Sequence, residues 1–253
     1  MQHINSNPMN RDYQKIQTLF LRDEKSIIIP SRFTCDEFYY LRDLPWEATE
    51  KIDGTNIHVD FIARNGDIDE LTYHGRTEKA SIPPHLMAKL QELLPLSKLQ
   101  EVFAEQVAAT ADGTELVVSI YGEGYGAKIQ KGGNYIPDGC SFILFDVRVG
   151  QWWLRREACE DIARRLNIDI VPFIGMMTIP EAIAYVKAGF KSTIAANKDY
   201  EAEGLVLKTP CGLLDRSGQR IITKIKTCDF RKFTAAYGDG EGIQQNVNPH
   251  YNQ

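Results

Sequence analysis

Hydrophobic and polar residues change period several times along the chain, and each change predicts an element. Ile57-His58-Val59-Asp60-Phe61-Ile62 alternates apolar with polar, the pattern of a strand with one buried face. Asn65-Gly66-Asp67 then signals a tight turn and Ile68 to Tyr73 runs back, so residues 48–76 predict a β-hairpin. From Pro84 to Ala109 the spacing becomes helical, through Leu86, Leu90, Leu93 and Leu94, then Leu99, Val102, Phe103 and Val107, with Pro95 dividing two helices. A strand over 115–121 runs into Gly122-Glu123-Gly124-Tyr125-Gly126, and 128–139 is a glycine-rich loop. Phe142 to Val147 reads as a buried strand that turns at Gly150. Helices are expected over 155–166 and 180–196, the second beginning at Thr178 or Pro180. Strands over 204–208 and 220–226 flank a turn region at 212–218. Residues 1–20 read as a polar arm or short helix, Ile27-Ile28-Ile29 as part of a lead-in that packs on the core, and 237–253 as a tail rich in Gly, Asn and Gln. The simplest architecture is one α+β domain with antiparallel sheets flanked by helices, spanning 46–235 between a 1–45 arm and lead-in and a flexible 236–253 tail.

Composition narrows the class of protein without naming a function. The 253 residues can bury a sizeable core, and 43% hydrophobic with 25% charged residues is ordinary for a globular chain. No apolar run approaches the roughly 20 residues that cross a bilayer. The polar N-terminus carries no signal-peptide core, which predicts no membrane association. Five scattered cysteines without a Cys-x-x-Cys pair suggest neither a disulfide framework nor a zinc site, and point to a reducing cytoplasm. The net charge of −5 argues against coating nucleic acid by charge alone. Between Asp215 and Lys232, however, six basic residues face two acidic ones, a local bias that suits a specific phosphate-bearing ligand.

Five short stretches place reactive side chains at the ends of predicted strands. They are Glu50-Lys51-Ile52-Asp53-Gly54-Thr55-Asn56, Gly122-Glu123-Gly124, Phe142-Ile143-Leu144-Phe145-Asp146, Glu203-Gly204-Leu205-Val206-Leu207-Lys208 and Lys224-Ile225-Lys226. Lys51 alone reads as a solvated lysine before a strand; a lysine, carboxylates and a lysine pair in this order give it chemical company. In that order they resemble the motifs of the covalent nucleotidyltransferase superfamily of polynucleotide ligases and mRNA capping enzymes. The first stretch is closest to the RNA ligase 2-like branch, and the resemblance spans residues 45 to 230.

The resemblance implies a nucleotidyltransferase (ATP-grasp-like ligase) core that uses ATP and Mg²⁺ to form a lysyl-AMP intermediate. AMP would pass to a 5′-phosphate, and a 3′-OH RNA end would displace it. Lys51 would be the nucleophile, and Glu50 a contact to the adenine or its surroundings. Asp53, Gly54 and Asn56 would shape the nucleotide loop, Arg76 would lie near phosphates or an RNA 3′ end, and Glu123 would bind ribose. Phe145, in preference to Phe142, would stack on adenine. Glu203 would serve catalysis and, with Glu123, hold metal; Lys224 and Lys226 would meet the α-phosphate. A free lysine is only about 0.04% neutral at pH 7, so nearby cations such as Lys224 and Lys226 are the expected means of tuning it. His58 is read as a packed strand histidine and left out of this set. Only 27 residues follow Lys226 (253 − 226), too few for an OB-fold or a helical C-terminal domain, so adenylylation is the firmer expectation and sealing could need an accessory protein. A small DNA ligase, a capping-type guanylyltransferase and a noncatalytic RNA-end-binding protein remain as alternatives.

Overall fold

The computed structural model describes residues 11–77 and 80–238. It is a mixed α+β chain with mostly antiparallel sheets and seven α-helices among those residues. The chain folds into two compact units, each assembled from separate segments. Of the described residues, one unit comprises 11–14, 55–77, 80–124 and 140–170, and the other comprises 15–54, 125–139 and 171–238. They are called here the hairpin unit and the lysine unit.

The hairpin unit is built on a six-stranded sheet whose long strands run in the order Cys140–Val149, Leu116–Gly126, Thr55–Arg64, Asp67–His74. The expected hairpin is present, but it begins at Thr55, because Trp46–Glu50 is a strand of the other sheet. Asn65 and Gly66 both take positive φ (54° and 80°), as a two-residue hairpin turn with the right twist requires. One face of the Thr55–Arg64 strand buries Ile57, Val59 and Phe61, with Phe61 edge-on to Phe103 at 5.2 Å. The polar face predicted to meet water is buried too: His58 and Asp60 are each 1% exposed. The 84–109 region forms three helices rather than two, Pro84–Leu93, Leu96–Val102 and Ala104–Ala108, since the chain also breaks at Phe103. The first packs on Cys140–Val149, as does the helix Arg156–Leu166.

The lysine unit holds a five-stranded sheet in the order Gln17–Thr18, Ile222–Lys226, Gly204–Lys208, Trp46–Glu50, Phe173–Met177. Residues 11–20 are therefore not a loose arm. Gln17–Thr18 pairs in parallel with the 222–226 strand, and Tyr13 is buried in the hairpin unit. One face of the five-stranded sheet, through Trp46, Ala48, Leu205, Leu207 and Ile225, closes a core with Ile179, Ala182, Val186 and Phe230. The first three come from helix Ile179–Ala188, which starts at a capping box where Thr178 and Glu181 bond each other's backbone N–H groups. It stops at Gly189 (φ 80°), eight residues short of the expected end at 196. The final helix, Thr227–Tyr237, was not foreseen; the expected tail beyond 238 lies outside the described residues. No helix among the described residues is long and apolar enough to cross a membrane.

Candidate active site

Lys51 lies just beyond the Trp46–Glu50 strand, its N–H donating to Gly204 O at 2.9 Å. Its Nζ donates to Glu203 Oε2 at 2.6 Å and to Ile52 O at 3.3 Å. The other oxygen of Glu203, Oε1, takes Lys226 Nζ at 2.7 Å. One carboxylate thus holds two lysines that are 152 and 23 residues away (203 − 51; 226 − 203). Glu203 is only 14% exposed at its side chain, so the pairs lie largely out of bulk water.

Glycine at the next position makes this possible. Gly204 has φ 145°, and a Cβ there would lie 1.9 Å from Ile225 O. The two strands meet backbone to backbone, and Thr227 N–H closes on Glu203 O at 2.9 Å. Lys224 and Lys226, two residues apart on one strand, share a face of the sheet, opposite Val206 and Gly204 in the adjacent strand. Burial pushes the pKa of Lys226 down, but the hydrogen bond and charge of Glu203 outweigh it, and the net shift is upward.

Asp53 joins this cluster. Its carboxyl is pushed up by burial and by the charge of Glu203, against the pull of Lys51, Lys226 and Lys131. Its N–H donates to Tyr135 Oη at 3.2 Å. Tyr135 meets Tyr125 and Tyr200 edge-on, at 5.9 and 5.2 Å, and burial raises its hydroxyl far above the ordinary phenol range. The glycine-rich loop that carries it is pinned by Ala196 N–H to Tyr135 O, and by Asn197 to both the backbone and side chain of Asn134. Sequence reasoning missed Tyr135 and Tyr200; nothing in their local pattern marks Tyr200, whereas Tyr135 at least stands in the flagged loop.

Glu50 takes a different position from its neighbour. Successive strand residues point to opposite faces. The Glu50 carboxylate, 1% exposed, accepts from Ser192 Oγ at 2.5 Å, Thr193 N at 3.0 Å and Thr193 Oγ1 at 2.8 Å.

The remaining expected residues fall in the hairpin unit, the boundary lying between Gly54 and Thr55. Asn56 and Glu123 are cross-strand partners, and Asn56 Oδ1 is buried with no hydrogen-bond partner among the described residues. Phe145 is half-buried and edge-on to Tyr13 at 4.9 Å. Phe142 is fully buried, its ring filling the space left at Gly122, where a Cβ would come within 2.3 Å of it. Arg76 is exposed, two residues past the Asp67–His74 strand. Within the lysine unit, then, Lys51, Asp53, Glu203 and Lys226 come together with Lys224 on the same sheet; within the hairpin unit, Asn56 meets Glu123.

Asp53 and Glu203 offer hard oxygen donors suited to Mg²⁺ that keeps several waters. Burial, and then the charge of Glu203, pushes the Asp53 carboxyl up, and a divalent cation beside it would favour the ionised form.

The sequence model of the RNA ligase family matches residues 44–226. Among solved structures, an aspartate-to-alanine variant of Naegleria gruberi RNA ligase without ligand aligns with TM-score 0.58 at 18% identity, covering 90% of this chain and 59% of that one. A lysine-to-methionine variant of the same enzyme with AMP and Mn gives TM-score 0.58 at 18%, covering 88% and 58%. A lysine-to-alanine variant with ATP and Mn gives 0.55 at 18%, covering 88% and 60%. The chain thus spans about three fifths of the length of these structural relatives. A search of curated protein sequences gives no match.

Proposed function

Because the chain belongs to the RNA ligase family, we propose that it is an ATP- and divalent-metal-dependent RNA ligase built on a nucleotidyltransferase core, with residues 46–235 acting as its adenylylation domain. The observation that carries the reading is Glu203 between Lys51 and Lys226, with Asp53 beside them. It supports Lys51 as the nucleophile, since a second cation and two carboxylates share one partly desolvated cluster with it. In the first step Lys51 Nζ, having lost a proton, attacks the α-phosphorus of ATP; the N–P bond forms as the bond to pyrophosphate breaks. For this to happen the Lys51–Glu203 pair must open. Lys224 and Lys226 then offset negative charge that builds on the phosphate oxygens. Bound Mg²⁺ would add further charge stabilisation, and Asp53 and Glu203 are the residues proposed to hold it. An oxygen of the RNA 5′-phosphate next displaces Lys51 and takes the AMP. A 3′-OH finally attacks that 5′-phosphorus and releases AMP, sealing the ends.

Several further roles support the same scheme. Tyr135 fixes the backbone of Asp53 and so positions the loop after the nucleophile. Asn56 and Glu123, cross-strand partners, form one polar pair for the ribose, and Gly54 belongs to the loop after Lys51. Phe145, half-buried, would stack on adenine; Phe142 is fully buried against Gly122 and belongs to the core. Arg76, being exposed, is available to an RNA phosphate.

The test is covalent labelling with α-³²P ATP or GTP in the presence of Mg²⁺. ATP is expected to label the wild-type chain, and Lys51→Ala to remain folded and unlabelled. GTP-only labelling would make the protein a capping-type enzyme, and no label from either nucleotide would overturn the enzymatic reading. A nicked RNA duplex and a nicked DNA duplex offered to the labelled protein then separate RNA ligase from DNA ligase.

A further inference from the structure

The hairpin unit buries a cluster of polar groups that adenylylation does not use. His58 and Asp60 lie two apart on the Thr55–Arg64 strand, so both project from the same face. Pairing sets His74 directly across from His58, and Thr72 directly across from Asp60. On the other side the Leu116–Gly126 strand places Tyr121 beside His58 and Ser119 beside Asp60. The layer above is closed by Tyr13, whose ring lies 5.1 Å from that of Tyr121, while Tyr121 Oη donates to Arg11 O at 2.8 Å.

Nothing in that layer fully compensates the carboxylate. Asp60 is 1% exposed, and neither of its oxygens has a hydrogen-bond partner among the described residues. His58 Nε2 lies 3.5 Å from Asp60 Oδ2, beyond the usual N–H···O range. Burying a carboxylate in this way is costly unless a cation takes up its lone pairs. Burial accordingly drives the Asp60 carboxyl upward, against the smaller pulls of Ser119, His58, Arg11 and His74.

We propose that His58, Asp60 and His74 form a binding site for one transition-metal divalent cation of the zinc type. One ligand atom from each of the three lies within 4.8 Å of the other two. Ligands about 2.0–2.1 Å from a tetrahedral zinc are separated by roughly 3.4 Å. The His58–Asp60 separation already meets that, and His74, which is only partly buried, closes the remainder by a small side-chain rotation. The two imidazoles stack at 4.9 Å with planes 21° apart, so their edges run nearly parallel along one side of the hairpin. Two imidazoles and one carboxylate form a donor set that selects zinc or its first-row neighbours over Mg²⁺, which prefers oxygen ligands throughout. The site takes no residue from the Lys51 cluster. Its effect is to clamp the two strands of the hairpin together.

The full-length protein, stripped with a chelator and dialysed, is titrated with Zn²⁺ while its thermal midpoint is followed, and with Co²⁺ while its visible absorption is read. One equivalent of Zn²⁺ is expected to be retained and to raise the midpoint, Co²⁺ is expected to give the ligand-field bands of a nitrogen-containing low-coordinate site, and Mg²⁺ at the same concentration to displace neither. His74→Ala, at the partly exposed position, should weaken Zn²⁺ binding by at least about tenfold, as even outer-sphere changes do at metal sites. Asp60→Asn should do the same, and Lys51→Ala should leave the affinity unchanged. If Asp60→Asn fails to fold, His74→Ala decides the matter. The proposal is overturned if wild-type protein retains no Zn²⁺ and shows no shift. It is also overturned if His74→Ala binds as tightly as wild type, or if loss follows Glu203→Gln instead.

Discussion

Glu50 offers the sharpest separation between two roles for a single side chain, a contact to the adenine base and a clamp within the fold. In the structure its carboxylate takes three donors, Ser192 Oγ, Thr193 N and Thr193 Oγ1, while being 1% exposed. Hydrogen bonds to a charged group contribute about 1.5–3 kcal/mol each, and a buried donor left unmade costs about 1–3 kcal/mol. In Glu50→Ala the two hydroxyls can rotate toward other acceptors, but the Thr193 N–H cannot, so the loss is about 3 kcal/mol rather than the sum of three bonds. For a chain of this size each kcal/mol moves the thermal midpoint by about 2–4 °C, giving a fall of roughly 6–12 °C. Glu50→Gln keeps one acceptor for Thr193 and presents an amide to Ser192 Oγ, which already accepts from Ala195 N–H at 3.2 Å. It should therefore lose less, about 1–2 kcal/mol, through loss of charge assistance. The assay is thermal unfolding of the three proteins, paired with labelling by ATP and GTP. If the clamp is the main role, both variants melt lower in the stated order and keep their preference for ATP. Variants that melt with wild type while accepting GTP would refute the clamp and make Glu50 a base contact.

Two further outcomes follow from the same cluster. Gly204→Ala drives a Cβ to within 1.9 Å of Ile225 O at φ 145°. Overpacking and backbone strain together should cost about 3–5 kcal/mol and remove covalent labelling by shifting Glu203, and an unchanged melting midpoint would refute it. Asp53 has a carboxyl raised on folding from the ordinary 3.8, by burial and then by Glu203. A carboxylic acid so raised stabilises the fold most below the ordinary value, and that contribution is lost as pH rises through the raised one. Asp53→Asn should therefore melt higher than wild type at neutral pH and lose labelling, with the stability advantage shrinking as the pH is lowered toward 4; a lower midpoint at pH 7 would contradict it.

Much of the lysine–carboxylate cluster was legible because its residues stand at strand ends, where a short motif carries position as well as chemistry. Lys51, Asp53, Glu203 and Lys226, which the family resemblance grouped, lie together in the structure. The contacts of Glu50 with Ser192 and Thr193 were not legible, since a string of letters does not say on which residue the strand ends or what lies across from it. The Leu116–Gly126 strand continues through three glycines that propensity would discard. Packing explains them: a Cβ at Gly122 would strike the ring of Phe142, and one at Gly124 would come 2.5 Å from Leu86. Helix Ile179–Ala188 ended early at one glycine, and Phe173–Met177 was missed because Gly175 interrupts a short run. Tyr135 reaches Asp53 from 82 residues away (135 − 53), a pairing set by tertiary folding and invisible to any local window.

The span between Lys51 and Glu203 also has a consequence in time. A ribosome adds about 5–20 residues per second, so Lys51 is made roughly 8–30 s before its carboxylate partner, 152 residues later. The strand that carries Lys226 follows still later, and the five-stranded sheet cannot close around the lysine before it arrives. A nascent chain therefore displays Lys51 long before it has the carboxylate and the second lysine that hold it. The ion pairs that hold the Lys51 amine therefore form only once residues 203 and 226 have both been made.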